Sequence, residues 1–309
     1  MLAAALRAFF LWLADRRWLG RVAMRTPLLR AMPLRFVAGT TLDQAITAVR
    51  ALNKTGASAT LDVLGESVSD RASADRAAAA YVETIERIAA EKLDANVSIK
   101  LTQMGLDLGV AECLAVLAPI VEAGARHQIF VRIDMESSDY TDRTLEVVDQ
   151  LRATGHDTGP VIQSYLHRSP ADVERLAADM VRTRVCKGAY AESPEIAHQE
   201  RKEVGDAFVK LSQRLLEADA YPGVATHDPD MIERVATFAR ERDIGLDRFE
   251  FQMLYGVRRD LQRSLLERGH RLRIYVPFGT EWYPYFMRRL AERPANVLFV
   301  IRSVFGERS

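Results

Sequence analysis

Eight short β-like runs separated by helical patterns limit what this chain can fold into more than any other feature. The runs are Ala59–Leu64, Val97–Leu101, Ile129–Met135, Val161–Tyr165, Thr183–Cys186, Val224–Thr226, Phe249–Leu254 and Leu272–Val276. Helical segments lie between them at Ala74–Leu93, Val110–Ala123, Asp142–Ala153, Pro170–Asp179, Pro194–Ala218, Pro229–Glu241 and Arg258–Arg268. Parallel strands need a crossover, and a helix supplies it, so this alternation with short connections predicts a parallel sheet. Eight units in roughly 250 residues suit closure into a (β/α)8 TIM-like barrel, with a doubly wound open sheet as the alternative. A length of 309 residues at 48% hydrophobic content allows a core of that size.

The division expected is an N-terminal amphipathic helical arm over residues 1–40 and a catalytic barrel over residues 41–309. In residues 1–36, Arg7, Arg16, Arg17, Arg21, Arg25, Arg30 and Arg35 face one acid, Asp15, and are interleaved with Phe9, Phe10, Leu11, Trp12, Leu13, Trp18 and Leu28. Such an arm either lies on an anionic membrane surface or packs on the barrel through its apolar face. Its longest uncharged stretch, Ala8–Ala14, is far below the roughly 20 residues that span a bilayer, and no convincing cleavage pattern follows. The expectation is a cytoplasmic protein, with peripheral contact at the inner face of the cell membrane left open. Lys+Arg and Asp+Glu stand at 42 each, so no global basic field points to nucleic acid. Cys113 and Cys186 form neither a disulfide framework nor a metal-ligand spacing.

In a barrel, chemistry gathers where the strands end, because the following loops ring the mouth. The candidate strands end in Lys100, Asp134, Gln163 with Tyr165, Arg184 with Lys187, Thr226 with His227, Gln252 with Tyr255, and Tyr275. Each has a plain structural explanation. Lys100 can snorkel from a strand end, Asp134 can cap a turn, and His227-Asp228-Pro229 reads as a helix N-cap. Their recurrence on seven of the eight strands points instead to a binding site for something large, polar and partly anionic. In Arg184-Val185-Cys186-Lys187-Gly188-Ala189-Tyr190, the glycine lets backbone approach a ligand, while Arg184 and Lys187 can neutralise phosphates or an anionic ring. Strand alternation is read as turning Cys186 away from the mouth, as a small apolar packer. The run Arg273–Gly279 leads into a helix with adjacent Arg288 and Arg289, which can grip a carboxylate, and Tyr285 stands one turn earlier as an aromatic wall. The chain has no G-x-G-x-x-G, Walker A, H-E-x-x-H or G-x-S-x-G sequence, which counts against Rossmann binding, P-loop chemistry, zinc proteolysis and α/β-hydrolase catalysis.

Taken together, these segments resemble the proline dehydrogenase family, close to its bacterial monofunctional members. The segments are Ser98–Leu101, Arg132–Glu136, Gln163–Tyr165, Arg184–Tyr190, Ala225–His227, Glu250–Gly256, Tyr275–Gly279 and Tyr285–Glu292, in the family's order from about residue 40 onward. The resemblance implies FAD-dependent oxidation of L-proline to 1-pyrroline-5-carboxylate, by hydride transfer from proline C5 to flavin N5. It implies that electrons pass to a quinone and that a separate pyrroline-carboxylate dehydrogenase consumes the product. It implies Asp134 and Arg184 as active-site residues, and FAD on Met135, Gln163, Arg184, Lys187, Gly188, Ala189, Thr226 and His227. Proline is implied on Lys100, Tyr190, Tyr275, Tyr285, Arg288 and Arg289, with Glu292 orienting Arg288. Elementary chemistry agrees, since no side chain accepts a hydride and a redox cofactor must. Two further readings remain open from the residues alone: a Schiff-base aldolase using Lys100 or Lys187, and a binding barrel without chemistry.

Overall fold

A computed structural model describes residues 35–65, 67–283 and 285–287. Its strands close into one parallel barrel in sequence order, β1 to β8. They are β1 Ser58–Val63, β2 Ala95–Lys100, β3 Val131–Asp134, β4 Thr158–Gln163, β5 Arg184–Cys186, β6 Gly223–Ala225, β7 Glu250–Leu254 and β8 Leu272–Phe278. The helices are α1 Leu42–Asn53 before β1, then α2 Arg71–Ala90, α3 Val110–His127, α4 Thr141–Ala153, α5 Ser169–Ala178, α6 Arg201–Glu217, α7 Pro229–Glu241 and α8 Arg259–Glu267. The open sheet is thereby excluded, since β1 pairs with β8 over Ser58–Val63. Among the described residues no helix is long and apolar enough to cross a membrane. The expected arm falls almost wholly outside the described residues.

Strand alternation sorts the side chains into two populations. One set of residues, including Leu61, Val97, Ile99, Ile133, Val185, Val224, Phe251, Ile274 and Val276, is buried in the apolar layer beneath the helices. The alternate set faces the barrel interior and is largely polar: Thr60, Asp62, Asn96, Ser98, Lys100, Arg132, Asp134, Gln163, Arg184, Glu250, Gln252, Arg273 and Tyr275. Hydrogen bonds that cross between non-adjacent strands, such as Tyr275 to Asp134 and Arg184 to Gln252, fix this side as the interior. Burying so many polar groups is tolerable only because most of their donors and acceptors find partners, chiefly one another, with Arg132 Nε and Gln163 Oε1 as exceptions.

At the N-terminal end of the barrel, residues in or just before the strand starts stack on one another. The Arg132 and Arg182 guanidinium groups lie over the Phe130 ring at 4.6 and 5.5 Å. Arg182 and Arg271 lie over Tyr221 at 5.6 and 5.9 Å. Just inside, Arg273 Nε donates to Glu250 Oε1 at 2.7 Å and Arg273 Nη1 to the Ala59 carbonyl at 2.9 Å.

Two helices depart from the sequence expectation. Helix α1, not expected, begins with a capping box in which Thr41 accepts from Gln44 N and Gln44 Oε1 accepts from Thr41 N. Helix α6 starts at Arg201 rather than Pro194. Pro194–Glu200 is held off the helix by an antiparallel bridge of Ala197 to Leu166, and by bonds from His167 N to Ile196 O and His198 N to Tyr165 O. The Pro194 signal for a helix start loses to this tertiary pairing.

Candidate active site

The strand-end residues converge at the C-terminal mouth. Asp134, last on β3, is held by three donors: Ser98 Oγ at 2.6 Å and Arg184 Nη1 at 2.8 Å on Oδ1, and the Tyr275 hydroxyl at 2.8 Å on Oδ2. Arg184 also lies over the Tyr275 ring at 5.4 Å. Burial, and then the nearby Asp134 and Asp62 carboxylates, push the Tyr275 hydroxyl well above its ordinary range. Tyr275 therefore stays neutral and serves Asp134 as a donor. These contacts join two residues expected as catalytic with one expected at the substrate.

Lys100 stands opposite Asp134 in the β2–β3 register. Its Nζ donates to both oxygens of Asp62 at 3.2 and 3.3 Å. Asp62 on β1 is a site residue that the sequence reading missed. It is fully buried, and the Tyr81 hydroxyl also reaches its Oδ1 at 3.3 Å. Burial raises the Asp62 carboxyl above the usual range against the pull of Lys100. A signal existed: an acid inside the apolar run Ala59–Leu64 is out of place on any strand face turned to a core. The strand-end search passed over it because the expected run Ala59–Leu64 ends on Leu64, which leaves Asp62 inside the run rather than at its end.

On the opposite arc of the mouth, Gln163 Nε2 donates to the Glu136 carbonyl at 3.1 Å, while Gln163 Oε1 is buried without a partner. Met135 is buried just beyond β3. Lys187 Nζ pairs with Asp228 Oδ2 at 3.1 Å. Burial works to raise the Asp228 carboxyl, but Lys187 and the backbone amides of Asp230 and Met231 outweigh it and hold it low. Asp228 is the N-cap of α7, accepting from Asp230 N, and Pro229 follows. The cap reading of His227-Asp228-Pro229 thus belongs to Asp228. His227 turns to β7, where its Nε2 accepts from Leu254 N at 2.9 Å, which places the ring proton on Nδ1. Thr226 is buried, its Oγ1 accepting from Asp228 N at 3.1 Å.

One local expectation gains a second reason and another changes. Gly188 has φ +106°, and a Cβ there would collide with the Tyr165 ring. Tyr165 thus demands a glycine here in its own right, beside whatever approaches the loop. Cys186 pairs with Gln163 in the β4–β5 register and lies two residues from Arg184, so it shares their inward face. The expectation that it turns from the mouth is therefore corrected, because period-two alternation keeps residues i and i+2 on one side. Ala189 and Tyr190 continue the loop, with Tyr190 41% exposed. Tyr285 is buried in helical residues after β8. Arg288, Arg289 and Glu292 lie outside the described residues.

The arrangement fits a flavin edge, which carries both an N–H and carbonyl oxygens. Gln163 Oε1 is a buried acceptor lacking a partner, and Arg184 and Lys187 supply cations. The comparisons with known proteins agree with this chemistry. The profile described as Proline dehydrogenase matches residues 45–302. Proline dehydrogenase 1 of Bacillus subtilis (strain 168) is 38% identical over 299 residues, covering 97% of this chain and 99% of its own. Proline dehydrogenase of Deinococcus radiodurans is 39% identical over 279 residues, covering 87% and 89%. The crystal structure of proline utilization A (PutA) from Bdellovibrio bacteriovorus, inactivated by N-propargylglycine, superposes with a TM-score of 0.81 at 25% identity. The match covers 91% of this chain and 34% of that one, so this chain spans about a third of that protein. A profile over most of the sequence and relatives matched over most of their length leave one assignment: the chain belongs to the proline dehydrogenase family.

Proposed function

We propose that this chain oxidises L-proline to 1-pyrroline-5-carboxylate, the first step of proline catabolism, with FAD held at the barrel mouth. The observation that carries the reading is the hydrogen-bonded set Asp134–Arg184–Tyr275 beside Lys100, at the end where barrel enzymes place chemistry. Met135, Gln163, Arg184, Lys187, Gly188, Ala189, Thr226 and His227 would hold the cofactor. When bound, the flavin supplies the hydride acceptor that no side chain can be.

The remaining work belongs to the protein's own groups. The Lys100 ammonium, with Arg288 and Arg289 from the C-terminal segment, meets the substrate carboxylate, while Tyr190, Tyr275 and Tyr285 wall the ring. Fixing a small ring by its carboxylate aims one carbon at the acceptor, and orientation of that kind accounts for a large share of catalysis. Arg184, permanently charged and locked to Asp134, opposes negative charge that develops beside it. Asp134 keeps that guanidinium and the Tyr275 hydroxyl in place.

The reading extends to partners: electrons pass to a quinone, and a separate pyrroline-carboxylate dehydrogenase takes the product. The basic apolar stretch of residues 1–36 supports transient contact of a cytoplasmic protein with an anionic membrane face. The test is the visible spectrum of the purified protein, followed by anaerobic addition of L-proline. A flavin band bleached by L-proline but not D-proline is the expected result. A colourless protein that takes up no added FAD sinks the reading.

A further inference from the structure

Arg184 is held from behind as well as from in front. Its Nη1 donates to Asp134, and its Nε donates to Gln252 Oε1 at 2.5 Å. Gln252 Nε2 in turn donates to Glu250 Oε1 at 2.6 Å, the oxygen that also accepts from Arg273 Nε at 2.7 Å. A primary amide can usually be turned either way, but here it cannot. The Glu250 carboxylate only accepts, so Gln252 must present its nitrogen to Glu250 and its oxygen to Arg184. Gln252 lies on β7 and Arg184 on β5, with β6 between them. The residue of β6 in register with Arg184 and Glu250 is Gly223. A Cβ on Gly223 would collide with Gln252 Nε2, so the bridge exists only because that strand carries no side chain there. Gln252 is itself buried.

We infer that Gln252 is a positioning residue for the oxidation, locking the plane of the Arg184 guanidinium by a one-way amide anchored on Glu250. Two bonds from different nitrogens, in different directions, stop rotation about the last side-chain torsion. The acceptor on Nε is neutral, so the lock immobilises the cation without cancelling its charge, as a second carboxylate would. The inference deepens the proposed function and rests on Arg184 facing the cofactor.

The test compares the full-length, FAD-loaded wild-type protein with Gln252→Met, and both with Arg184→Met. For Gln252→Met the expected result is normal FAD stoichiometry and proline affinity within about threefold, with limiting flavin reduction slowed about ten- to a hundredfold and the flavin midpoint potential more negative. A purely structural glutamine would lower thermal stability and leave the limiting rate and the potential of the loaded fraction alone, and that outcome overturns the inference. If Arg184→Met itself changes neither rate nor potential, the placement of Arg184 at the cofactor fails instead, and the two failures are told apart. A measurement independent of the variant's folding uses the FAD-loaded wild-type protein. The Arg184 Nε–H signal, identified by its absence from Arg184→Lys, is expected strongly low-field and slow to exchange. An averaged, freely exchanging signal overturns the lock.

Discussion

At the scale of single residues, the barrel interior is governed by the rule that a buried charge needs an answering charge within reach. Glu250 and Arg273 show it most plainly. Burial would raise the Glu250 carboxyl, but Arg273, the Gln252 amide and Arg132 together hold it below the ordinary range. A carboxyl depressed on folding adds stability above its unfolded value of about 4.3, and that stability is lost as pH falls through the lower folded value. Glu250→Gln is therefore expected to lower the unfolding free energy at pH 7 by about 3 kcal/mol, since it leaves Arg273 without its counter-charge. In chemical denaturation the gap from wild type should narrow as pH drops below 4; a constant gap would assign the loss to packing. Lys100 obeys the same rule. Lys100→Met removes a charge-assisted contact worth roughly 1.5–3 kcal/mol, so half-saturation by proline should need about 10- to 100-fold more substrate. Unchanged saturation would confine Lys100 to its pairing with Asp62.

At the scale of elements, the loop after β5 depends on its neighbours after β3 and β4. Tyr165 packs on Gly188, Leu166 bridges to Ala197, and Glu192 accepts from Ser138 N at 2.8 Å and Ser138 Oγ at 2.7 Å. Gly188→Ala would impose both the ring collision and a positive φ on a side-chain-bearing residue, a strain of about 1–3 kcal/mol. FAD affinity, measured by titration of the apoprotein, should fall about ten- to a hundredfold; full retention would show that this loop does not hold the cofactor. The same elements show how far sequence carries. Apolar periodicity located every strand, because alternation is a local property. It did not fix parity at Cys186 or notice Asp62, because which face of a short strand looks inward is decided by register with neighbouring strands. Helix α6 was extended over Pro194–Glu200 for a related reason, as pairing with Leu166 has no local signature. The pairs across the mouth, Arg184 with Asp134 and Tyr275 with Asp134, were legible only as a recurrence of polar strand ends.

At the scale of the whole molecule, closure of the barrel makes a ligand at the mouth a brace for many elements at once, since the residues expected to hold it lie on β3 through β6 and their loops. FAD at a hundred times its dissociation constant should add about 2.7 kcal/mol to the unfolding free energy. That corresponds to an upward shift of several degrees in thermal unfolding, and Gly188→Ala should show a smaller shift at the same FAD concentration. An equal shift in both proteins would separate cofactor binding from the β5 loop. The other end of the barrel carries its own consequence. There the interior is filled by buried Arg132 and by the Glu250–Arg273 pair, with Phe130, Arg182, Tyr221 and Arg271 stacked around them. Among the described residues, an interior so plugged leaves the mouth as the side open to small visitors: the product steps out the way its precursor stepped in.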